Sequence, residues 1–296
     1  MKGLVKPALV ALMLMTTVFT SWSFDFESEG IYYNKTGDAT VSVTYGQSTY
    51  NTYKGDVVIP STVQDESGAT YTVTAIDVWA FMYCVRLTSV QLPSTLVSIG
   101  LNAFNSCTQL ESIVLPEGLE VIGDDAFYFC SKLPSVTIPN TVKSIGEEAF
   151  YNCSALTTVV IGSGVTSIGS DAFGCDAYTP LASVTCLATT PPAMGASDCF
   201  YTTTYNMATL RVPAASVDAY RSTDWWNLFV NVEGLAPESV PGDVNGDGRV
   251  SIDDVTALIN LLLDDNATVE GDPDVNGDTR VNIDDVTALI NQLLTN

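Results

Sequence analysis

Histidine is absent from the 296-residue chain, and basic residues are scarce: 11 lysines and arginines stand against 34 aspartates and glutamates, a net charge of −23. Without imidazole there is no Ser-His-Asp or Cys-His nucleophile, and no zinc site built on histidine. Without a basic surface, nucleic acid and anionic lipid are repelled, so neither is an expected partner. No segment after residue 23 is long and apolar enough to span a bilayer. Nucleophile elbows, phosphate loops and metal-hydrolase motifs are missing too. What is plentiful is apolar: 46% of residues are hydrophobic and 15% charged, the balance of a folded chain with room for more than one domain.

Residues 1–23 form a separate object. Lys2 and Lys6 make a positive start, Ala8 to Phe19 an apolar run, and Ser21 and Ser23 place small residues ahead of Phe24. That is the pattern of a signal peptide cleaved before Phe24. The run is shorter than the roughly twenty apolar residues of a membrane anchor. No cysteine follows it for a lipid anchor. The expectation is a secreted chain, held at a cell surface only through a partner.

A period of 23 residues follows. Ile76, Ile99, Ile122, Ile145 and Ile168 are 23 apart, as are Phe81, Phe104, Phe127, Phe150 and Phe173, each preceded by alanine. Cys84, Cys107, Cys130 and Cys153 keep the step, with Leu87, Leu110, Leu133 and Leu156, while Pro93, Pro116 and Pro139 mark one corner. A unit this short cannot bury its own apolar face, but stacked copies form continuous interior ladders. Around Pro93, Val90 and Leu92 are expected inward and Ser89 and Gln91 outward, as in a short strand. The Gly-x-x-Ala-Phe-x-x-Cys stretch reads as a helical turn on the opposite side. The pattern predicts an α/β leucine-rich-repeat solenoid with a β N-terminal cap.

Over residues 58–183 the repeat resembles the BspA-like leucine-rich repeats of bacterial surface and secreted proteins. The resemblance implies a curved right-handed solenoid used for adhesion or protein binding. Ile59-Pro60-Ser61-Thr62-Val63 matches Leu92-Pro93-Ser94-Thr95-Leu96 at a distance of 33, so the first repeat carries a ten-residue insertion turning at Ser67-Gly68. Residues 24–57, with alternating Val41, Val43 and Tyr45, are assigned to the N-terminal β cap. Residues 184–235 are assigned to a C-terminal cap, with strand-like Leu210 to Pro213, a short helix after Ser216, and Trp225 and Trp226 closing it. The four in-phase cysteines read as small buried hydrophobes, with disulfides between adjacent repeats as the alternative. Cys175, Cys186 and Cys199 are off phase, and one disulfide among them stays open.

A second repeat, of 31 residues, begins at Asp243. Asp243, Asn245, Asp247, Arg249 and Asp254 recur as Asp274, Asn276, Asp278, Arg280 and Asp285. Oxygen side chains at loop positions 1, 3, 5 and 12, with the Arg249 or Arg280 backbone carbonyl at position 7, are what a hard cation such as Ca²⁺ needs. Each loop runs into a helix with Ser251 or Asn282 as N-cap. Val255, Leu258, Ile259 and Leu262 then make an apolar face, repeated by Val286, Leu289, Ile290 and Leu293. Residues 242–296, joined by a linker at 236–241, resemble type I dockerin modules. The resemblance implies a small all-α domain with two calcium ions and a cohesin partner on a scaffold or surface protein. Thr279 stands where glycine makes the sharp turn at position 6, which predicts a weaker second site. The partner-selecting positions 10 and 11 hold Ile252-Asp253 and Ile283-Asp284.

Two functions follow. One is a non-catalytic binding protein: the outward residues Ser89, Gln91, Ser112, Val114, Ser135, Thr137, Thr158 and Val160 engage a protein or glycan ligand, and the dockerin-like module docks the chain. The other is an accessory or enzymatic component of a polysaccharide-degrading complex. That requires two carboxylates converging in a cleft, whereas Asp124-Asp125 and Glu147-Glu148 read as a solvated face. Tyr83, Tyr128, Phe129 and Tyr151, on the turn side, cover the core or stack on a glycan.

Overall fold

The computed structural model describes residues 24–46, 52–175, 181–235, 242–245, 250–264, 267–269 and 271–295. The expected signal peptide and linker lie outside the described residues.

Strands β1 (Phe26–Ser28), β2 (Ile31–Lys35) and β3 (Thr40–Thr44) form an antiparallel meander. The first coil adds β4 (Gly55–Val58), β5 (Thr62–Gln64) and β6 (Thr70–Ile76). The ten-residue insertion is the expected hairpin: β5 and β6 pair antiparallel about a turn closed by Gly68 N donating to the Asp65 carbonyl. Each later coil gives two short strands: β7 (Leu87–Gln91) and β8 (Ser98–Ile99), β9 (Ser112–Ile113) and β10 (Val121–Ile122), β11 (Ser135–Ile138) and β12 (Ser144–Ile145), β13 (Thr158–Ile161) and β14 (Ser167–Ile168), β15 (Ser183–Cys186) and β16 (Ala193–Met194). After helix α1 (Thr202–Met207) come β17 (Thr209–Pro213), helix α2 (Val217–Ser222) and β18 (Asn231–Leu235).

These strands build two parallel ladders. One runs β6-β8-β10-β12-β14-β16, with the antiparallel cap strands added at β3. After β6 its rungs are two-residue steps such as Ser98–Ile99 and Val121–Ile122, too short to show an alternation, so the isoleucine column shows in the sequence without announcing strands. The other ladder carries the Val-x-Leu strands and is split into β4-β7-β9 and β11-β13-β15-β17-β18. β4 pairs parallel with β7, so Gly55–Val58 is a repeat strand although its first three residues fall in the stretch assigned to the cap. At the other end β15, β17 and β18 extend the same ladder, so the stretch assigned to a C-terminal cap is further coils of irregular length.

Pro134 accounts for the split. Glu111 N donates to the Thr88 carbonyl, Thr157 N to the Pro134 carbonyl and Ala182 N to the Thr157 carbonyl. At the same phase Pro134 has no N–H to give the Glu111 carbonyl. No strand pairing joins β9 to β11 among the described residues, while β10 and β12 remain paired on the other ladder.

The expected helical turn is not helical. Its amides alternate between local turns, as in Cys107 N to the Phe104 carbonyl, and the next repeat, as in Phe104 N to the Ala126 carbonyl. Left-handed residues at two phases enforce this: Trp79, Asn102, Asp125, Glu148 and Asp171, then Tyr83, Ser106, Phe129 and Asn152. Half the amides thereby point along the stack, which a helix forbids. The neighbouring glycine row is steric: a Cβ on Gly146 would lie 2.4 Å from Asp124 N and the Gly123 carbonyl carbon.

Inside, the phenylalanine ladder runs as expected and further. Phe81, Phe104, Phe127, Phe150 and Phe173 stack at centroid spacings of 4.8, 5.1, 4.9 and 5.4 Å. Tyr53 extends the ladder at one end and Phe200 at the other, where Trp226, Tyr205 and Phe229 surround the last ring. Trp226 is fully buried, donating Nε1–H to the Pro192 carbonyl, whereas Trp225 is exposed. Leu92, expected inward, is only half-buried. All seven cysteines are buried, and none is joined in a disulfide. Cys107, Cys130 and Cys153 donate S–H to the carbonyls of Phe81, Phe104 and Phe127, and burial pushes the Cys84 thiol up to about 11.

Candidate functional site

The acidic loops are anchored by the aspartates that end them. Helix α3 spans Ile252–Leu263 and α4 spans Ile283–Thr295. Ser251 caps α3 by accepting from Asp253 N, and Asp254 completes a capping box by accepting from Ser251 N at 2.7 Å. The other Asp254 oxygen reaches back to the start of the loop, accepting from Val244 N at 2.9 Å and Asn245 N at 3.0 Å. Asp285 repeats this with Asn282 N and Asn276 N. Both aspartates are fully buried, the usual state of a carboxylate only when every oxygen is satisfied.

The second loop is described throughout. Asp278 N donates to Asp274 Oδ1 and to Asn276 Oδ1, Thr279 N to Asp274 Oδ2, and Arg280 N to Asp278 Oδ1. Gly277 and Thr279 are both left-handed, with φ of +75° and +69°. For a β-branched residue that conformation is costly. In the first loop Asp243 is buried, and Asp247 and Arg249 lie outside the described residues. Among the described residues no group of three or more acidic or thiol side chains is gathered as a ready-made metal cluster. The donors present are carboxylate, amide and backbone oxygens, which fit a hard cation and no soft one.

The helices pack on each other through a small core of Val244, Val255, Leu258, Val286 and Leu289. The expected four-residue faces are wider than that core. Ile259, Leu262 and Ile290 are exposed, while Leu261 and Leu293 flank the buried centre. Ile252, Asp253, Ile283 and Asp284 are all exposed. Neither repeat period includes one further contact: Gly271 N donates to the Val244 carbonyl and Asp272 N to the Asp243 carbonyl, pinning the lead-in of the second loop to the first. Its signal is Gly271, where a Cβ would overlap the Asp243 carbonyl.

On the solenoid the strand register aligns the outward residues in two rows. Ser89 lies beside Ser112, and Ser135 beside Thr158 and then Ser183. Thr137 lies beside Val160, Thr185 and Arg211. Gln91, Ser112, Val114, Ser135 and Thr137 are exposed, and Ser89, Thr158 and Val160 are half-buried. At the far end Arg211 pairs with Glu233 at 3.2 Å, two strip residues that irregular coil lengths hide from the period. On the turn side Tyr128 and Tyr151 stack on each other at 5.5 Å and Tyr128 also meets Phe129. Ring faces turned to one another are withdrawn from a sugar. Asp125 is half-buried, its carboxyl raised by burial and then by Asp124 and Glu147.

Comparison with known families settles the kind of protein. Residues 69–190 match the BspA type leucine rich repeat region in six copies, and residues 241–294 match the dockerin type I domain. The chain is a BspA-type leucine-rich-repeat protein with a type I dockerin module. Type I dockerin domains are calcium binders and imply a cohesin partner. The BspA-type solenoid is similar to the leucine rich repeat protein of T. pallidum, with 28% identity over 80% of this chain and 95% of that one and a TM-score of 0.49. It is also similar to a leucine-rich-repeat protein of Bacteroides capillosus, with 31% identity over 45% of this chain and 94% of that one and a TM-score of 0.38. A third similar structure is a leucine rich cell surface protein of Faecalibacterium prausnitzii, with 22% identity over 63% of this chain and 54% of that one and a TM-score of 0.49. No curated protein matches the chain. No helix among the described residues is long and apolar enough to cross a membrane.

Proposed function

We propose that this is a secreted, non-catalytic binding protein, whose solenoid engages a protein ligand and whose dockerin module docks it, with calcium, to a cohesin on a scaffold or surface protein. The observation that carries the docking half is the build of each loop-helix unit. A buried aspartate fixes the loop to the helix N-cap, and the two residues just before it, Ile252-Asp253 or Ile283-Asp284, are left exposed. In this reading two calcium ions are held by Asp243, Asn245, Asp247, Asp254 and the Arg249 carbonyl, and by Asp274, Asn276, Asp278, Asp285 and the Arg280 carbonyl. Calcium would offset the excess of carboxylates over the single arginine in each loop. The chain's own residues position the exposed pairs and carry the helix start. A protein ligand is favoured over a glycan because the outward strip is hydroxyl and aliphatic, while the turn-side rings Tyr128 and Tyr151 face each other. Titration calorimetry of the secreted protein against a cohesin module tests the docking half. Binding in calcium, abolished by chelator and weakened by joint substitution of both exposed pairs, is expected; binding that ignores chelator contradicts it.

A further inference from the structure

On the outward strip, Pro134 opens the ladder between β9 and β11. A depression of about 380 Å³ lies at that break, lined by Ser112, Val114, Ser135 and Thr137 with Glu111 and Glu117 beside them. A second, of about 500 Å³, lies on the β7 side and shares Ser112, Ile113 and Val114 with the first. Val114 stands between them as a ridge, 81% exposed, the highest value among the solenoid's large apolar residues. A partner side chain seated in either hollow would cover Val114 and remove its apolar surface from water. The charge at the hollows has one sign. Neither is lined by lysine or arginine, and the nearby Lys132 is already paired with Glu111 at 3.0 Å.

We propose that this ridge with its two hollows is the anchoring point of the strip, and that its occupant is an extended peptide segment of a partner protein. That segment places an aliphatic side chain in each hollow and a lysine or arginine beside Glu117. The inference rests on the protein-binding reading of the solenoid and narrows it to one place and one chemistry. The hydroxyls of Ser112, Ser135 and Thr137 meet the segment's polar groups, and the acidic rim selects a cationic segment over an acidic one. The first hollow lies where a proline interrupts the ladder, so restoring an N–H there should narrow it, while the second lies over the intact β7–β9 pair.

The test uses the mature full-length protein and an array of short synthetic peptides alternating valine and threonine, each carrying lysine, and counterparts carrying glutamate. The lysine peptides are expected to bind and the glutamate peptides not. Val114→Asp and Pro134→Thr should each weaken binding by about tenfold or more, and Glu117→Lys should reverse the charge preference. Pro134→Thr places at residue 134 the residue type that occupies the same phase at Thr88 and Thr157, so the variant is expected to fold. Thr158→Asp, away from the break on the same strip, separates the two readings. Loss with Thr158→Asp but not with Val114→Asp or Pro134→Thr leaves the strip as the binding face and overturns this inference. Equal binding of glutamate peptides, no peptide bound at all, or neutral polysaccharide bound in a Val114-dependent way also overturns it.

Discussion

The solenoid and the dockerin module are both duplications, yet they are held together by opposite means. In the solenoid each coil adds another phenylalanine, isoleucine and cysteine to buried ladders that its neighbours have already started. The core grows with every repeat and charge stays outside. The module has two copies only, a fully buried centre of five side chains, and carboxylates as structural members. Its small core cannot by itself offset the ordering of its chain. Repetition stabilises one region; the proposed calcium ions would stabilise the other.

Breaking a ladder tests the first half of that contrast. Phe127→Ala removes a fully buried ring stacked on both sides and should cost about 3–5 kcal/mol in denaturant melts. Gln91→Ala, on the outward row, should cost less than about 0.5 kcal/mol. Equal effects would mean the inside and outside of the coil are misassigned.

In the module the corresponding break is polar. Asp254→Ala leaves the buried amide of Val244 and the half-buried amides of Asn245 and Ser251 without their acceptor. In calcium it should destabilise the module by about 1–3 kcal/mol or more, whereas Asp253→Ala, one residue away and exposed, should have little effect on thermal unfolding. Thr279→Gly sharpens the comparison of the two loops. Relief of a left-handed threonine should stabilise the second loop by about 1 kcal/mol and raise its calcium affinity, read by calorimetry. Unchanged affinity would mean that the loop carries no strain there.

The smallest effect belongs to the turn face. Burial, and then Asp124 and Glu147, raise the Asp125 carboxyl in the folded state. Ionisation is therefore disfavoured on folding, so the penalty is present at neutral pH and disappears as pH falls below the raised value. Asp125→Asn, which tolerates the left-handed backbone, should raise the melting temperature slightly at pH 7, with the gain vanishing in acid. A gain that persists at low pH would assign the effect to something other than charge.

Much of this was readable from spacing. A 23-residue period exposes the phenylalanine and cysteine ladders because identical side chains occupy one interior column, and a 31-residue period exposes the loops because their ligands have fixed chemistry. What stayed hidden lacked a strand-length pattern or a regular spacing. The isoleucine column shows the period, but its two-residue rungs do not read as strands, and β15, β17 and β18 sit on coils of uneven length. The supposed helical turn is a chain of left-handed and right-handed turns, hidden because its left-handed phases hold Trp79, Asp125 and Glu148 rather than glycine. The exposed Ile259 and Ile290 looked like core because helical spacing shows an apolar face without showing what covers it.

The contrast between the two regions is tested most directly by amide hydrogen exchange on the mature full-length protein, in calcium and in chelator. The account predicts that protection in α3 and α4 is lost in chelator and restored by calcium. It also predicts that the β-ladders from β6 to β18 keep the same protection in both. Protection of α3 and α4 that is equal with and without calcium would contradict it, as would loss of the solenoid's protection in chelator.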